Sequence, residues 1–253
     1  MYKEYIRNIL NDIEENKIIY IASDMKKIIF AGYRKGMSPK ETLNDFVDFL
    51  INEIKDTQTI VVPAFNWDYC KGAMFNPLKT KSKVGVLGNI FLDREDFART
   101  KHPLYSFFVY GKEKDTLIKL INQSAWGENS PFAYMYNNNA VQLNIDSPLE
   151  NNFTFAHYVE EKINIKERYH KFFEAEYFNK NSIEIRKYSM FIRDLAYKNN
   201  LYNLKNQEEL KNNIKVFEFE ENYFELIKIH QVCEFIENDI LFNDSSNSLK
   251  YIK

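Results

Sequence analysis

An α/β fold is predicted by three observations on the sequence. Two short runs rich in β-branched residues, Lys17 to Ala22 and Thr59 to Val62, read as buried strands. Between them lies a helix with strong start signals, and strand–helix–strand over about 45 residues is the pattern of parallel strands joined by a crossover. At 253 residues and 45% hydrophobic, the chain can also bury a large core. No stretch rich in Gly, Pro or Ser breaks it, which predicts one domain over 1–253, with 165–220 as a lobe or lid.

Residues 2 to 15 place Tyr5, Ile6, Ile9, Leu10 and Ile13 at helical spacing and predict an amphipathic helix. After the first strand, Ser23-Asp24 can cap a helix over Met25 to Phe30. Ser38-Pro39-Lys40-Glu41 supplies a hydroxyl cap, a first-turn proline and a glutamate placed to close a capping box. The second strand should leave the sheet at Pro63, because proline has no N–H for a central ladder. Helices are predicted to start over Val84 to Phe91 and Lys112 to Ile121, and a strand over Val141 to Ile145. Further on, Ser182 to Phe191 reads as a strand followed by a helical turn, Ile214 to Phe219 as a strand, and Tyr223 to Ile240 as a closing helix. That helix would turn Leu226, Ile229, Val232, Cys233 and Ile236 inward.

The formal charge of −2 gives no basic field for a nucleic-acid backbone. Cys70 and Cys233 lie far apart, with no metal-ligand spacing, and fit a reducing compartment. The N-terminus shows no positive-then-apolar leader, and no run approaches the ~20 apolar residues that a bilayer requires. A cytoplasmic location and no membrane span are expected. Homo-oligomerisation is compatible with the sequence, which does not show an interface.

The polar clusters carry the chemistry. Thr154, His157, Glu160 and Glu161 stand three and four apart, so on a helix Glu160 or Glu161 would share a face with His157. A carboxylate on one ring nitrogen fixes the tautomer and leaves the other nitrogen to take a proton. The plain alternative is a structural histidine above surface carboxylates. His102 and Ser106 could pair as a hydrolase would, but no Gly-x-Ser-x-Gly elbow exists. No metal motif or Gly-rich phosphate loop occurs either. His170 and His230 read as structural or exposed. The helix start after Ser23, with Lys26, Lys27, Arg34 and Lys35 near it, could hold an anion or be an ordinary solvated face. In parallel sheets ligands gather at the carboxyl ends of strands, which makes Ser23-Asp24 and Phe65, Trp67 and Asp68 candidate pocket walls. Packing is the competing role for the two rings.

Five ordered motifs resemble the aminoglycoside 3-N-acetyltransferase family. They are Ile18 to Ser23, Val61-Val62-Pro63-Ala64-Phe65, Arg99-Thr100-Lys101-His102-Pro103 with Ser106 and Gly111, Gly127-Glu128-Asn129-Ser130-Pro131, and Thr154-Phe155-Ala156-His157-Tyr158-Val159-Glu160. The resemblance covers residues 18 to 161 and implies a three-layer α/β/α sandwich with acetyl-CoA as cosubstrate. It implies His157 as general base, Glu160 orienting it and His102 supporting the catalytic site. Ser23, Lys26, Ser106, Ser130 and Thr154 would serve the coenzyme. Phe65, Trp67, Asp68 and Glu128 would serve the acceptor, with Gly127 to Pro131 shaping the cleft. The chain departs from the family at Ser23-Asp24, where adjacent serines are usual, at Lys101 and over Gly32 to Met37. The expected activity is acetyl transfer to an amino sugar, with a nucleotide-linked or cell-surface glycan precursor preferred over an aminoglycoside antibiotic. The alternatives of another class are a non-catalytic CoA or sugar binder and a serine hydrolase using Ser106 or Ser130.

Overall fold

The computed structural model describes residues 2–201 and 204–252. Helix α1 (Tyr2–Asn11) leads into β1 (Ile18–Ser23), whose two faces are both buried, as the unbroken apolar run requires. Helix α2 (Lys26–Tyr33) follows, its first N–H held by the Asp24 carboxylate. Helix α3 (Pro39–Glu53) begins in the expected capping box: the Ser38 hydroxyl accepts the Glu41 N–H, and the Glu41 carboxylate accepts the Ser38 N–H. Gly32 lets α2 and α3 touch, since a Cβ there would lie 1.9 Å from Thr42 Oγ1.

Strand β2 (Thr59–Pro63) and, later, β5 (Val141–Ile145) flank β1, both parallel to it, so the strand–helix–strand reading holds at the centre. The rest of the sheet is antiparallel. Strand β3 (Ala98–Arg99) pairs with β4 (Phe107–Gly111), and β4 pairs with β2. On the other side β9 (Ile214–Phe219) and β10 (Asn222–Lys228) extend β5, giving the order β3-β4-β2-β1-β5-β10-β9.

Three layers result because successive strand residues point to opposite faces. Ile19, Ile21, Ile60 and Val62 meet α1, α2 and α3. Ile18, Tyr20, Ala22 and Val61 meet α6 (Pro131–Asn137), α8 (Phe155–Lys162) and α9 (Ile229–Phe242). Short helices α4 (Leu87–Ile90), α5 (Lys114–Lys119) and α7 (Leu149–Asn152) complete the connections.

Several expectations are corrected. The helix expected over Val84 to Phe91 is one turn, α4, followed by a 3₁₀ turn at Phe91–Asp93. The closing helix starts at Ile229, because residues 222–228 form β10; Leu226 pairs with Leu143 and Lys215 instead of facing inward from a helix. Its aromatic and β-branched content suits a pleated ladder, and β5 offers a free edge for it. Ser182 to Phe191 has no helical turn. It lies in β7 (Ser182–Arg193), which pairs with β6 (Arg168–Asn179) along its whole length. The 165–220 stretch thus holds this hairpin, the short strand 198–201, two 3₁₀ turns at Leu204–Asn206 and Glu208–Leu210, and β9. The hairpin docks on the body where the Tyr69 hydroxyl donates to the Ala175 or Arg186 carbonyl and where backbone bridges join Phe75 to Tyr177 and Ser124 to Ser189. Strands β8 (Lys198–Leu201) and β11 (Leu249–Ile252) pair separately.

Candidate active site

The carboxyl ends of β1 and β2 open into a cavity of about 360 Å³. Its walls are Tyr20, Ala22 and Ser23 from β1, Phe65 and Trp67 after β2, Tyr105, Ser147, Asn151 and Asn152, with Thr154 and His157 at the head of α8. Gly88 lets α4 close one side, since a Cβ there would stand 2.7 Å from the Pro63 carbonyl. Among the described residues no Asp, Glu, Lys or Arg lines this cavity.

His157 is the imidazole on that wall. Helical spacing brings Glu160 under it, and Glu160 Oε2 lies 2.7 Å from His157 Nδ1. Glu160 is fully buried, and its charge is met by Arg168, whose Nε donates to the same oxygen at 2.8 Å. A carboxylate accepts hydrogen bonds and cannot donate, so Nδ1 must carry the proton. Arg168 Nη2, 3.1 Å from Nδ1, therefore has no lone pair to bond there; its position follows from sharing Glu160. The tautomer leaves Nε2 with its lone pair for the cavity side. The ring rests edge-on against Trp126, 5.0 Å between centroids. Glu161, the other carboxylate at helical spacing, turns away and accepts from the Ser124 hydroxyl at 2.7 Å; burial raises its pKa.

The structure gathers Ser23, Phe65, Trp67, Thr154 and His157 on one cavity, with Glu160 directly behind. Other expected site residues lie elsewhere. Ser106 is fully buried, accepting from Arg99 Nε at 3.0 Å and donating to the Ala64 carbonyl at 3.1 Å. With Arg99, which also binds that carbonyl, it pins the segment carrying Phe65 and Trp67 and does not face the cavity. Ser130 is the N-cap of α6, its oxygen accepting the Ala133 N–H. His102, expected in the catalytic set, is fully buried behind the wall and away from the lining. Its Nδ1 accepts the Tyr105 N–H and its Nε2 donates to the Gln123 carbonyl, both at 3.3 Å. Burial holds its pKa down at about 3, so it stays neutral. Lys26 is exposed, pairs with Asp24 and lines a separate groove of mixed charge with Lys27, Arg34, Lys35, Glu220 and Glu221. Asp68 pairs with Lys83, whose hydrogen bond lowers the carboxyl pKa. Glu128 borders a shallow depression with His170 and Phe172.

Arg168 and Tyr105 were not singled out by the sequence. Arg168 is an alternating residue of a solvent-facing hairpin, and only the docking of β6 brings it to Glu160. Tyr105 lies inside a motif whose neighbours drew the attention. Among the described residues no cluster of three His, Cys, Asp or Glu could hold a metal, and no helix is long and apolar enough to cross a membrane.

Comparison with known proteins decides the family. The sequence model of the aminoglycoside 3-N-acetyltransferases matches residues 31–238. The chain belongs to that family. As a member of the aminoglycoside 3-N-acetyltransferases it is an acetyl-CoA-dependent N-acetyltransferase, and acetyl-CoA is its cosubstrate. No curated protein matches the chain. Solved structures share its fold. They include AAC-IIIb in a binary complex with CoASH, with a TM-score of 0.75 at 13% identity over 94% of this chain and 95% of that one. Sisomicin-bound AAC-VIa gives 0.73 at 14% identity over 96% and 98%. The YokD protein from Bacillus subtilis gives 0.70 at 17% over 94% and 98%. Aromatic walls and uncharged amide and hydroxyl groups suit a pantetheine arm, which is apolar between its amides.

Proposed function

We propose that this acetyltransferase acetylates an amino group of an aminoglycoside-type amino sugar by direct attack in a ternary complex, with His157 as general base. The observation that carries the mechanism is the 2.7 Å contact between His157 Nδ1 and buried Glu160, which commits the ring to an Nε2 acceptor at the cavity. An amine attacks a thioester only when neutral. His157 Nε2 takes the proton as the C–N bond forms, and the C–S bond then breaks with the thiolate leaving. Glu160 and Arg168 hold the ring; Ser23 and Thr154 line the path of the thioester, and Phe65 and Trp67 offer faces to the acceptor. One domain performs the reaction, with the β6–β7 hairpin supplying Arg168, in the cytoplasm where acetyl-CoA is made available.

The family match favours the aminoglycoside acceptor over the nucleotide-linked amino sugar preferred from the sequence, which has no support from it. Thiol release from acetyl-CoA, measured across aminoglycosides, nucleotide-linked amino sugars and free amino sugars, tests the reading. Release that depends on an aminoglycoside and falls by roughly 10²–10⁴ in His157→Ala is expected. Full activity in that variant would refute the assignment of the base, and release only with nucleotide-linked amines would restore the other acceptor.

A further inference from the structure

Acyl transfer to an amine puts negative charge on the thioester oxygen, and catalysis requires a donor already aimed at the place where it develops. Family membership does not say which side chain of this chain supplies it. The Tyr105 ring lines the same cavity as His157, and both rings pack on one indole, Trp126, at 4.6 and 5.0 Å between centroids. The phenol and the imidazole therefore border the same part of the cavity. Tyr105 is held from three sides. Phe65 packs against it tilted at 4.6 Å, Trp67 stands roughly perpendicular to it at 6.2 Å, and its backbone N–H is fixed on neutral His102.

Hydrogen-bond polarity sets what the phenol can do. A phenol O–H can donate a hydrogen bond as well as accept one. Among the described residues no Asp, Glu, Lys or Arg lines the cavity to compete for it, so the Tyr105 hydroxyl is available to an oxygen that gains charge there. Burial raises the phenol pKa to about 12, which keeps that hydrogen in place at any working pH.

We propose that Tyr105 is a catalytic residue, its hydroxyl donating a hydrogen bond to the thioester oxygen as the amine attacks, with the Phe65 and Trp67 rings and His102 positioning it. The inference rests on the acetyl-transfer reading given above. As the C–N bond forms, the carbonyl pair moves onto oxygen and is held by the Tyr105 O–H, with no proton transferred to it. His157 takes the amine proton; the oxygen pair then reforms the carbonyl, and the thiolate leaves and is protonated from His157. His102, fixed in one tautomer by the Tyr105 N–H and the Gln123 carbonyl, presents the ring without touching substrate.

The test compares wild type, Tyr105→Phe and Tyr105→Met by steady-state thiol release, CoA binding by calorimetry and thermal midpoint. Tyr105→Phe should lose about 100-fold in kcat, while KM for acetyl-CoA and CoA affinity stay within about twofold. Tyr105→Met, which also lacks the hydroxyl, should lose at least as much in kcat. A Tyr105→Phe protein within about threefold of wild-type kcat overturns the proposal, as does a loss that appears wholly in KM and in CoA affinity. Should Tyr105→Phe not fold, Tyr105→Met decides, and a kcat within about threefold of wild type there overturns it. Wild type without amine-dependent release refutes the underlying reading of the reaction, an outcome distinct from a working wild type beside a working Tyr105→Phe.

Discussion

The Glu160 carboxylate meets two groups at once, the His157 Nδ1–H and the Arg168 guanidinium, in a place without water access. Arg168 offsets the carboxylate's charge, so the pair holds the ring in orientation without leaving a net buried anion. Removing one partner of such a pair strands the other. Glu160→Gln should therefore lower unfolding stability by about 3–5 kcal/mol as well as reduce kcat. Adding Arg168→Met removes the stranded cation. In denaturant titrations and thiol-release assays run together, the double variant should regain most of the stability and none of the activity, because His157 still lacks its carboxylate. Recovery of activity in the double variant would show that Glu160 acts only by folding. The spacing of His157 and Glu160 is local and was legible in the sequence, whereas Arg168 reaches them from a different element.

Helix ends show the same division between local and distant causes. The capping box at Ser38 was readable because its hydroxyl and carboxylate lie three residues apart and need nothing else. Ser130 carries the same hydroxyl-then-proline signal, yet the motif around it drew it towards the coenzyme; in the structure it caps α6 and is fully buried. Ser130→Ala should cost about 1 kcal/mol of stability and leave KM for acetyl-CoA unchanged, in a melting curve paired with a substrate titration. A raised KM with an unchanged melting curve would return Ser130 to the coenzyme site. Strand β10 was misread because Tyr223 to Lys228 fits either period; the vacant edge of β5 decided for the ladder.

Across the whole molecule, the burial of a neutral His102 couples stability to pH. Its pKa is about 3 in the folded chain against an ordinary 6.5, so between those values the unfolded chain binds the extra proton. The stability His102 contributes is complete above about pH 6.5 and is lost as pH falls towards about 3, at roughly 1.4 kcal/mol per unit. The denaturant midpoint should therefore fall more steeply from pH 6.5 to 5 in wild type than in His102→Gln. Equal slopes would show that other groups set the acid limit.

Residues close together in the chain were enough to read the three central strands, the α3 cap and the His157–Glu160 spacing, and five ordered motifs were enough to read the family. Long-range packing placed Ser106 and Ser130 in hydrogen bonds of the framework and His102 behind the wall, and it brought Arg168 to Glu160 and Tyr105 to the cavity. The difference is one of range. A cap or a helical pair is fixed by local backbone geometry, whereas the partner of a buried charge and the wall of a cavity are set by which faces pack together.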